Sequence, residues 1–221
     1  MRLIIGNRNY SSWSLRAWLA AKQSGLGFET VVVPLYAADW EAEKRGHPDL
    51  APSGGRVPVL WDGEVVVWDS LAIMEHFADR VGRERYWPKD AVARGLARAM
   101  VAEMHSGFAA LRGACPMNLR RRLSGFVPDD AVRADLVRLL GLWAEARARF
   151  GAGGPFLFGG FGAADIAFAP VCSRIVTYGL AVPGFAEAYV GAVMEHHWMR
   201  DYIAEAEREV WVIDKFEVAP R

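Results

Sequence analysis

Four hydroxyl-bearing side chains stand together near the start of the chain, in the stretch NYSSWSLRAWLAAK: Tyr10, Ser11, Ser12 and Ser14. They lie where a short apolar run, residues 3–5, gives way to a predicted helix. Serine is favoured at the first position of a helix because its oxygen accepts a free backbone N–H of the first turn. One serine is enough for that role, so the remaining hydroxyls are candidates for chemistry.

Two other short motifs combine residue types that suit ligand binding. In GGRVPVLW, residues 54–61, Pro58 heads an apolar run although proline lacks the donor that a strand uses. In WDSLAIMEHF, residues 68–77, Asp69 and Ser70 precede an amphipathic run, where they would cap a helix. Free N–H groups and the helix dipole favour an anion at such a helix start. Both motifs are therefore candidate ligand contacts.

The pattern of the first 82 residues predicts the elements that position these motifs. It predicts a strand over residues 2–6, a helix over 13–24, a strand over 28–34 and a short helix around 40–43. Two apolar runs flank Asp62-Gly63, a dipeptide typical of two-residue hairpins in which both turn residues have positive φ. A helix follows from Asp69 and ends at Gly82. This order predicts one mixed sheet covered by helices.

The rest of the chain predicts helices alone. Apolar residues recur every four positions, as in one long amphipathic helix, at Val92, Leu96, Met100, Met104 and Phe108. A second long helix is expected from Asp129 to Gly151, and a buried helix that Pro170 interrupts follows it. We therefore expect two domains, residues 1–82 and residues 90–221.

The composition excludes several classes of protein. Basic and acidic residues are equal in number, 26 each, so no net positive charge is present to attract nucleic acid or an anionic membrane. No apolar stretch approaches the ~20 residues of a membrane-spanning helix. Cys115 and Cys172 form no disulfide or metal-binding pattern and favour a reducing compartment. We expect a cytoplasmic protein without a metal, and we interpret the run Arg120–Arg122 as a solvated face.

The order of these elements and motifs resembles the cytosolic glutathione transferases over essentially the whole chain. Ser11-Ser12-Trp13-Ser14 is similar to the start of the zeta-class, maleylacetoacetate isomerase-like members, although Trp13 stands where that class has a cysteine. The resemblance implies a thioredoxin-like α/β domain (βαβ-α-ββα) followed by an all-helical domain. It also implies glutathione as co-substrate and Ser11 as the catalytic hydroxyl, with Ser12 and Tyr10 as alternatives.

A hydroxyl at a helix start suits the chemistry that the resemblance implies. A thiol with a pKa of about 8.5 is only a few per cent ionised at neutral pH. A hydroxyl that donates to the sulfur and the positive end of a helix both favour the thiolate. Helix capping alone remains the alternative role for these serines.

The resemblance also assigns binding roles to the other two motifs. Val57 would pair its backbone with the cysteinyl part of glutathione beside a cis Pro58. Arg56 would either reach a glutathione carboxylate or lie in solvent. Ser70 and its helix start would hold the γ-glutamyl carboxylate, and Asp69 would contact the γ-glutamyl ammonium.

By the same resemblance, the electrophile would lie against the first long helix. The candidate pocket residues are Tyr10, Met104, His105, Ser106 and Phe108. Met104 and Phe108 also suit an apolar core. We expect a homodimer that conjugates a small hydrophobic electrophile, with a role in detoxification. A maleylacetoacetate isomerase and a non-catalytic, transferase-like interaction module remain the alternatives.

Overall fold

The computed structural model describes residues 1–36, 40–123 and 125–217, with the backbone alone at positions 43 and 45. Four strands are present in this part of the chain: β1 Arg2–Gly6, β2 Glu29–Val33, β3 Val59–Asp62 and β4 Val65–Trp68. The helices of the first half are α1 Ser12–Ser24, α2 Trp40–Gly46 and α3 Ser70–Val81. Those of the second half are α4 Ala91–Ser106, α5 Ala109–Ala114, α6 Asp130–Phe150, α7 Ala163–Tyr178, α8 Gly184–Met194 and α9 His197–Arg208.

The strands form one mixed sheet in the order β2-β1-β3-β4. β1 and β2 run parallel, and the β1–β3 and β3–β4 pairs are antiparallel. Successive residues of a strand point to opposite faces. Accordingly, Leu3 and Ile5 join the large core that contains α1 and α3, whereas Ile4 packs with Trp40 of α2. The predicted mixed sheet with helices on both faces is confirmed.

The sheet hairpin differs from its prediction by one residue. Asp62 pairs with Val65, so the two turn residues are Gly63 and Glu64 rather than Asp62 and Gly63. Gly63 has φ +63°, whereas Glu64 is not among the described residues with positive φ. Asp62 instead ends β3, where its carboxylate contacts His76 and Arg80 of α3.

The period-four apolar stripe from Val92 to Phe108 is divided between two helices. α4 ends at Ser106, and Phe108 adopts the left-handed conformation with φ +56° before α5 begins. A side chain at Gly107 would place its Cβ 2.8 Å from the Glu103 carbonyl oxygen, so the close approach requires glycine. The stripe identified the buried Met100, Met104 and Phe108, but Val92 is 60% exposed and the prediction of one continuous helix was wrong.

Helix α7 lies at the centre of the helical half, and fifteen of its sixteen residues are buried. The expected interruption at Pro170 does not occur, since α7 continues through it. Proline removes one helix hydrogen bond, and packing of almost the whole helix surface compensates for that loss. At the start of α7, Asp165 accepts from the N–H of Gly162 at 2.9 Å. A side chain on Gly162 would meet the Tyr86 carbonyl oxygen at 2.7 Å, which explains why no hydroxyl caps this helix.

The two halves share one apolar core, which extends from Leu15 in α1 to Phe168 in α7. The Arg16 Nε also donates to the Ala167 carbonyl oxygen at 2.8 Å and joins α1 to α7 directly. Within the described ranges, no helix has the length and apolar character needed to cross a membrane.

Candidate functional site

A cavity of about 1080 Å³ lies where the N-terminal ends of α1 and α3 face α5 and α7. We name its two sides by the residues that form them. The sheet wall comprises Ser11, Ser12, Arg56, Val57, Pro58, Asp69 and Ser70. The helical wall comprises Ala109, Arg112, Gly113, Pro116, Met117 and Arg174. All seven predicted catalytic and glutathione-binding residues therefore line one side of one cavity.

Ser11 is the N-cap residue of α1 and faces the cavity with little exposure, 8%. Its Oγ accepts from the backbone N–H of Ser14 at 3.3 Å and from the Ser14 hydroxyl at 2.8 Å. The Ser14 Oγ in turn accepts from the Gly6 N–H at 2.9 Å. Because Ser11 receives both hydrogen bonds from Ser14, its own proton is available to donate into the cavity. The Ser11 hydroxyl thus caps α1 and keeps its proton free to donate to a ligand, whereas the sequence suggested that different serines have these two roles.

The two alternatives to Ser11 differ in what their hydroxyls contact. Tyr10 donates to Glu217 Oε1 at 2.5 Å and accepts from Arg120 Nη2 at 2.9 Å. Burial and the hydrogen bond to Glu217 raise the pKa of the Tyr10 phenol. Its proton is therefore committed to the carboxylate of Glu217. The Ser12 hydroxyl also faces the cavity, and it forms no hydrogen bond within the described part of the chain.

The segment before β3 presents unpaired backbone to the cavity. The peptide bond between Val57 and Pro58 is cis, as the resemblance implied. Ser53 fixes the preceding turn because its Oγ donates to the Arg56 carbonyl oxygen at 2.6 Å and accepts from the Arg56 N–H at 2.9 Å. The N–H and C=O of Val57 have no hydrogen-bond partner among the residues described. They are free to pair with an extended peptide ligand.

Asp69 and Ser70 form the start of α3. Asp69 adopts φ +76° and ψ 135°, an unusual conformation for a residue other than glycine, and its Oδ1 accepts from the Leu71 N–H at 2.8 Å. His105 Nε2 lies 3.2 Å from the other carboxylate oxygen. The buried Ser70 faces the cavity at the first position of the helix, where free N–H groups favour an anion. Backbone strain of this kind is concentrated at functional sites.

The structure does not place the other predicted pocket residues on the cavity surface. Met104 is fully buried in the core, and Phe108 is 6% exposed and packs there as well. The Ser106 hydroxyl donates to the Ala102 carbonyl oxygen at 3.0 Å on the outside of α4. His105 contacts Asp69 and packs against the Trp13 ring, with a centroid distance of 5.0 Å. Of the five, Tyr10 alone lines the cavity.

The sequence interpretation overlooked the two arginines of the helical wall. No motif in the sequence points to Arg112. Arg174 carried a signal that could have identified it, because it is the lone charged residue in the apolar run FAPVCSRIVTY. A charged residue on a buried helix requires a partner or a function.

The run Arg120–Arg122 is also not a uniformly solvated face. The Arg120 guanidinium donates to the carbonyl oxygens of Glu209 at 2.6 Å and Trp211 at 2.9 Å. These hydrogen bonds hold the C-terminal segment beside the cavity, and Phe216 of that segment lines the cavity. Arg120 therefore has a structural role that its position in a charge run did not indicate.

The two cysteines are buried free thiols. Burial raises the pKa of Cys115 to about 12 and that of Cys172 well above its ordinary value. Neither thiol is therefore a ready nucleophile. Across the described ranges, no three histidine, cysteine or acidic side chains come together as a metal centre requires.

The fold and the site together define a two-domain protein with a thioredoxin-like domain, a helical domain and a cavity between them. Two family models match the chain: the glutathione S-transferase N-terminal domain over residues 10–80, and the glutathione S-transferase C-terminal domain over residues 129–204. Together they account for about two thirds of the chain. The chain belongs to the glutathione S-transferase family.

Solved structures of this family share the fold at low sequence identity. A glutathione transferase homologue from Burkholderia GL BGR1, with bound glutathione, is 22% identical with a TM-score of 0.69, over 94% of this chain and 98% of its own. A theta-class enzyme from Xanthomonas axonopodis pv. citri, also with glutathione bound, is 20% identical with a TM-score of 0.64, over 91% and 96%. A tau-class enzyme from mango is 17% identical with a TM-score of 0.65, over 94% of each chain. At these identities the similarity establishes the fold alone.

Proposed function

We propose that this protein is a glutathione transferase that ionises the glutathione thiol and transfers the sulfur to a small electrophile. The observation that carries the proposal is that Ser11 lines the cavity at the N-terminus of α1, while its Oγ accepts two hydrogen bonds from Ser14 and its proton stays free to donate. A thiolate accepts hydrogen bonds, so this donor and the positive end of the helix favour the anion over the thiol. Lowering the thiol pKa by ~2 units requires ~2.7 kcal/mol.

Glutathione binding in this proposal uses the rest of the sheet wall. The free N–H and C=O of Val57 pair with the cysteinyl residue, beside cis Pro58. Ser70 and the first turn of α3 bind the γ-glutamyl carboxylate, and Asp69 contacts the ammonium group of the same γ-glutamyl residue. Arg56 is exposed at the cavity edge and reaches the glycyl carboxylate.

The proposed reaction needs no covalent bond between enzyme and substrate. The thiol proton leaves to solvent, the sulfur bonds to the electrophilic carbon, and the leaving group departs with its electron pair. The enzyme contributes thiolate stabilisation and the fixed orientation of two bound reactants. Ser11 is the catalytic hydroxyl, and Ser12 is the alternative because its hydroxyl also faces the cavity.

The first experiment is calorimetry with reduced glutathione on the wild type, Ser70→Ala and Ser24→Ala. Ser24 is the control because its hydroxyl bonds to the Ala21 carbonyl oxygen at the opposite end of α1. We expect the wild type and Ser24→Ala to bind equally. We expect Ser70→Ala to bind ~10- to 100-fold more weakly, which corresponds to the ~1.5–3 kcal/mol of a hydrogen bond to a charged group.

Two results would overturn parts of this proposal. A wild type that binds no glutathione at millimolar concentration favours the non-catalytic interaction module. A Ser70→Ala variant with unchanged affinity contradicts the placement of the γ-glutamyl carboxylate.

The stoichiometry of glutathione distinguishes the maleylacetoacetate isomerase alternative from a transferase, because an isomerase returns glutathione unconsumed at the end of each turnover. Trp13, which replaces the cysteine of that class, disfavours this alternative.

We further propose a cytoplasmic homodimer whose two domains divide at residues 82–90. Edge strand β4 supports a dimer because it leaves Val65 about half exposed, at 51%. An apolar side chain on an exposed sheet edge favours association. Light scattering of the wild type and of a Val65→Lys variant tests this assembly.

A further inference from the structure

The helical wall of the cavity combines an apolar surface with two guanidinium groups. Ala109, Pro116 and Met117 supply the apolar part, and Arg112 and Arg174 lie among them. A purely hydrophobic acceptor would leave both charges facing an apolar ligand, which is unfavourable. The chemistry of this wall therefore differs from the hydrophobic pocket that the sequence predicted.

Both arginines are held in place by backbone carbonyl groups. Arg174 is only 4% exposed, and it donates from Nε to Cys115 at 2.7 Å and from Nη1 to Pro170 at 3.0 Å. Arg112 donates from Nη1 to His105 at 3.2 Å and to Gly107 at 3.1 Å. Neither guanidinium forms an ion pair with a carboxylate in the described part of the chain. Their orientation is fixed, but their charge is not neutralised.

A third guanidinium adds to the same positive cluster. Arg112 and Arg16 lie over the Trp13 ring, with distances of 4.7 and 4.8 Å to its centroid. Arg16 is 3% exposed, and its Nη2 has no hydrogen-bond partner among the residues described. Burial and the charge of Arg112 lower the pKa of Arg174 to about 10. Burial and both neighbouring arginines lower the pKa of Arg16, an effect that the charge of Asp69 opposes. These buried like charges favour an added anion.

The acidic residues of the cavity already contact other groups, and the charge of Asp69 acts on Arg16 rather than on Arg112 or Arg174. Glu41 pairs with Lys44 at 2.6 Å, and Asp69 pairs with His105 at 3.2 Å. Asp69 belongs to the sheet wall, and its Oδ1 caps α3. The uncompensated positive charge of the cavity is thus located on the helical wall.

We propose that the acceptor substrate carries a carboxylate, which Arg112 and Arg174 bind while its apolar body lies against Met117 and the Trp13 ring. This inference rests on the proposed transferase activity and identifies the substrate class of the same cavity. Charge-assisted hydrogen bonds from guanidinium groups suit the two oxygens of a carboxylate. Binding the acceptor through this group positions its electrophilic carbon for the thiolate.

A pair of matched acceptors tests this substrate class. In 4-chloro-3-nitrobenzoate and 4-chloro-3-nitrobenzamide, the thiolate sulfur bonds to the carbon that carries chlorine, and chloride leaves with the electron pair. The two compounds differ in charge and hardly in shape. We expect the wild type to favour the benzoate over the benzamide by at least tenfold in kcat/KM, relative to their uncatalysed rates with glutathione.

Substitutions of Arg112 test whether the preference for the benzoate depends on its guanidinium group. We expect Arg112→Gln to lower kcat/KM for the benzoate ~10- to 100-fold and to change that for the benzamide less than about twofold. Arg112→Lys, which keeps the charge, should retain part of the preference. Arg98→Gln is the control, because Arg98 also lies over a tryptophan ring, at 5.4 Å from the Trp87 centroid, but does not line the cavity.

Two further measurements exclude other roles for the arginines. The glutathione dissociation constant and the pKa of the bound thiol should be the same in Arg112→Gln and the wild type. A weaker glutathione complex in the variant would assign Arg112 to glutathione, and a raised thiol pKa would assign it to the thiolate. Either result overturns the proposal.

A binding experiment decides the question without turnover. The glutathione conjugates of the two acceptors are titrated by calorimetry, and the carboxylate conjugate should bind the wild type at least tenfold more tightly. Equal affinities, or no gain over glutathione alone, overturn the substrate class while leaving the transferase proposal intact. Failure to bind glutathione itself is the distinct result that removes the transferase proposal.

Discussion

The two walls of the cavity are built in different ways. The sheet wall presents hydroxyls, a free backbone edge and two helix N-termini, all within three short motifs of the first 70 residues. The helical wall presents guanidinium groups from α5 and α7, which are 62 positions apart in sequence and are oriented by carbonyl groups of other segments. In our proposals, the sheet wall binds the peptide ligand and the helical wall selects the acceptor.

The largest expected effect is that of Ser11→Ala, which removes the donor from the sheet wall. With the thiol pKa raised by ~2 units, from ~6.5 to ~8.5, the thiolate fraction and kcat/KM at pH 7 should fall ~25-fold, and most of the loss should be recovered at high pH. A pH–rate profile of the variant beside wild type and Ser24→Ala measures this. An equal loss at every pH would show that the hydroxyl positions the substrate rather than ionises it.

A smaller effect is expected from Ser14→Ala, because Ser14 does not line the cavity and acts on the sheet wall through Ser11. The Ser14 hydroxyl donates to Ser11 Oγ and accepts from the Gly6 N–H, so its loss leaves Ser11 free to rotate away from the ligand. We expect a ~3- to 10-fold loss of kcat/KM at pH 7, with a correspondingly raised thiol pKa. Ser14→Thr keeps the hydroxyl and should restore both values. A variant that loses thermal stability alone would indicate a purely structural role.

The smallest effect on turnover is expected from Tyr10→Phe. The Tyr10 hydroxyl bonds to Glu217 and Arg120, which belong to the C-terminal segment and its anchor rather than to either wall. Turnover should stay within about twofold of the wild type, while the free energy of unfolding falls by ~1 kcal/mol. Steady-state kinetics and urea unfolding measure the two quantities. A loss near 25-fold, with a raised thiol pKa, would transfer the catalytic role from Ser11 to Tyr10.

The fold could largely be predicted from the local pattern of apolar and polar residues. The predictions that failed concern features that this pattern does not determine. The alternation of strand and helix signals identified the mixed sheet because each element buries one face with its own period. The break at Gly107, the continuity of α7 through Pro170 and the shifted hairpin turn were not predictable in this way. The continuity of α7 depends on packing, and Asp62 at the end of β3 contacts His76 and Arg80 of α3. The break at Gly107 depends on the close approach of its backbone to the Glu103 carbonyl, which an apolar periodicity does not reveal.

The candidate site likewise contains residues that the sequence identified and residues that it did not. The residues of the sheet wall could be named from sequence because each lies in a contiguous motif at a helix start or strand edge. Met104 and Phe108 were assigned to the cavity by the family resemblance, whereas their helical spacing equally suited an apolar core, which is where both side chains lie. Arg112 of α5 and Arg174 of α7 come together only in the folded chain, where both line the cavity, so no spacing in the sequence could pair them.

The titration of bound glutathione tests the central claim most directly. Thiolate absorbance in the ultraviolet is followed against pH for glutathione bound to the wild type, Ser11→Ala and Ser24→Ala. The wild type and Ser24→Ala should ionise glutathione ~2 units below the ~8.5 of a free thiol, and Ser11→Ala should titrate close to the free value with nearly unchanged affinity. A Ser11→Ala variant that titrates like the wild type would contradict the account.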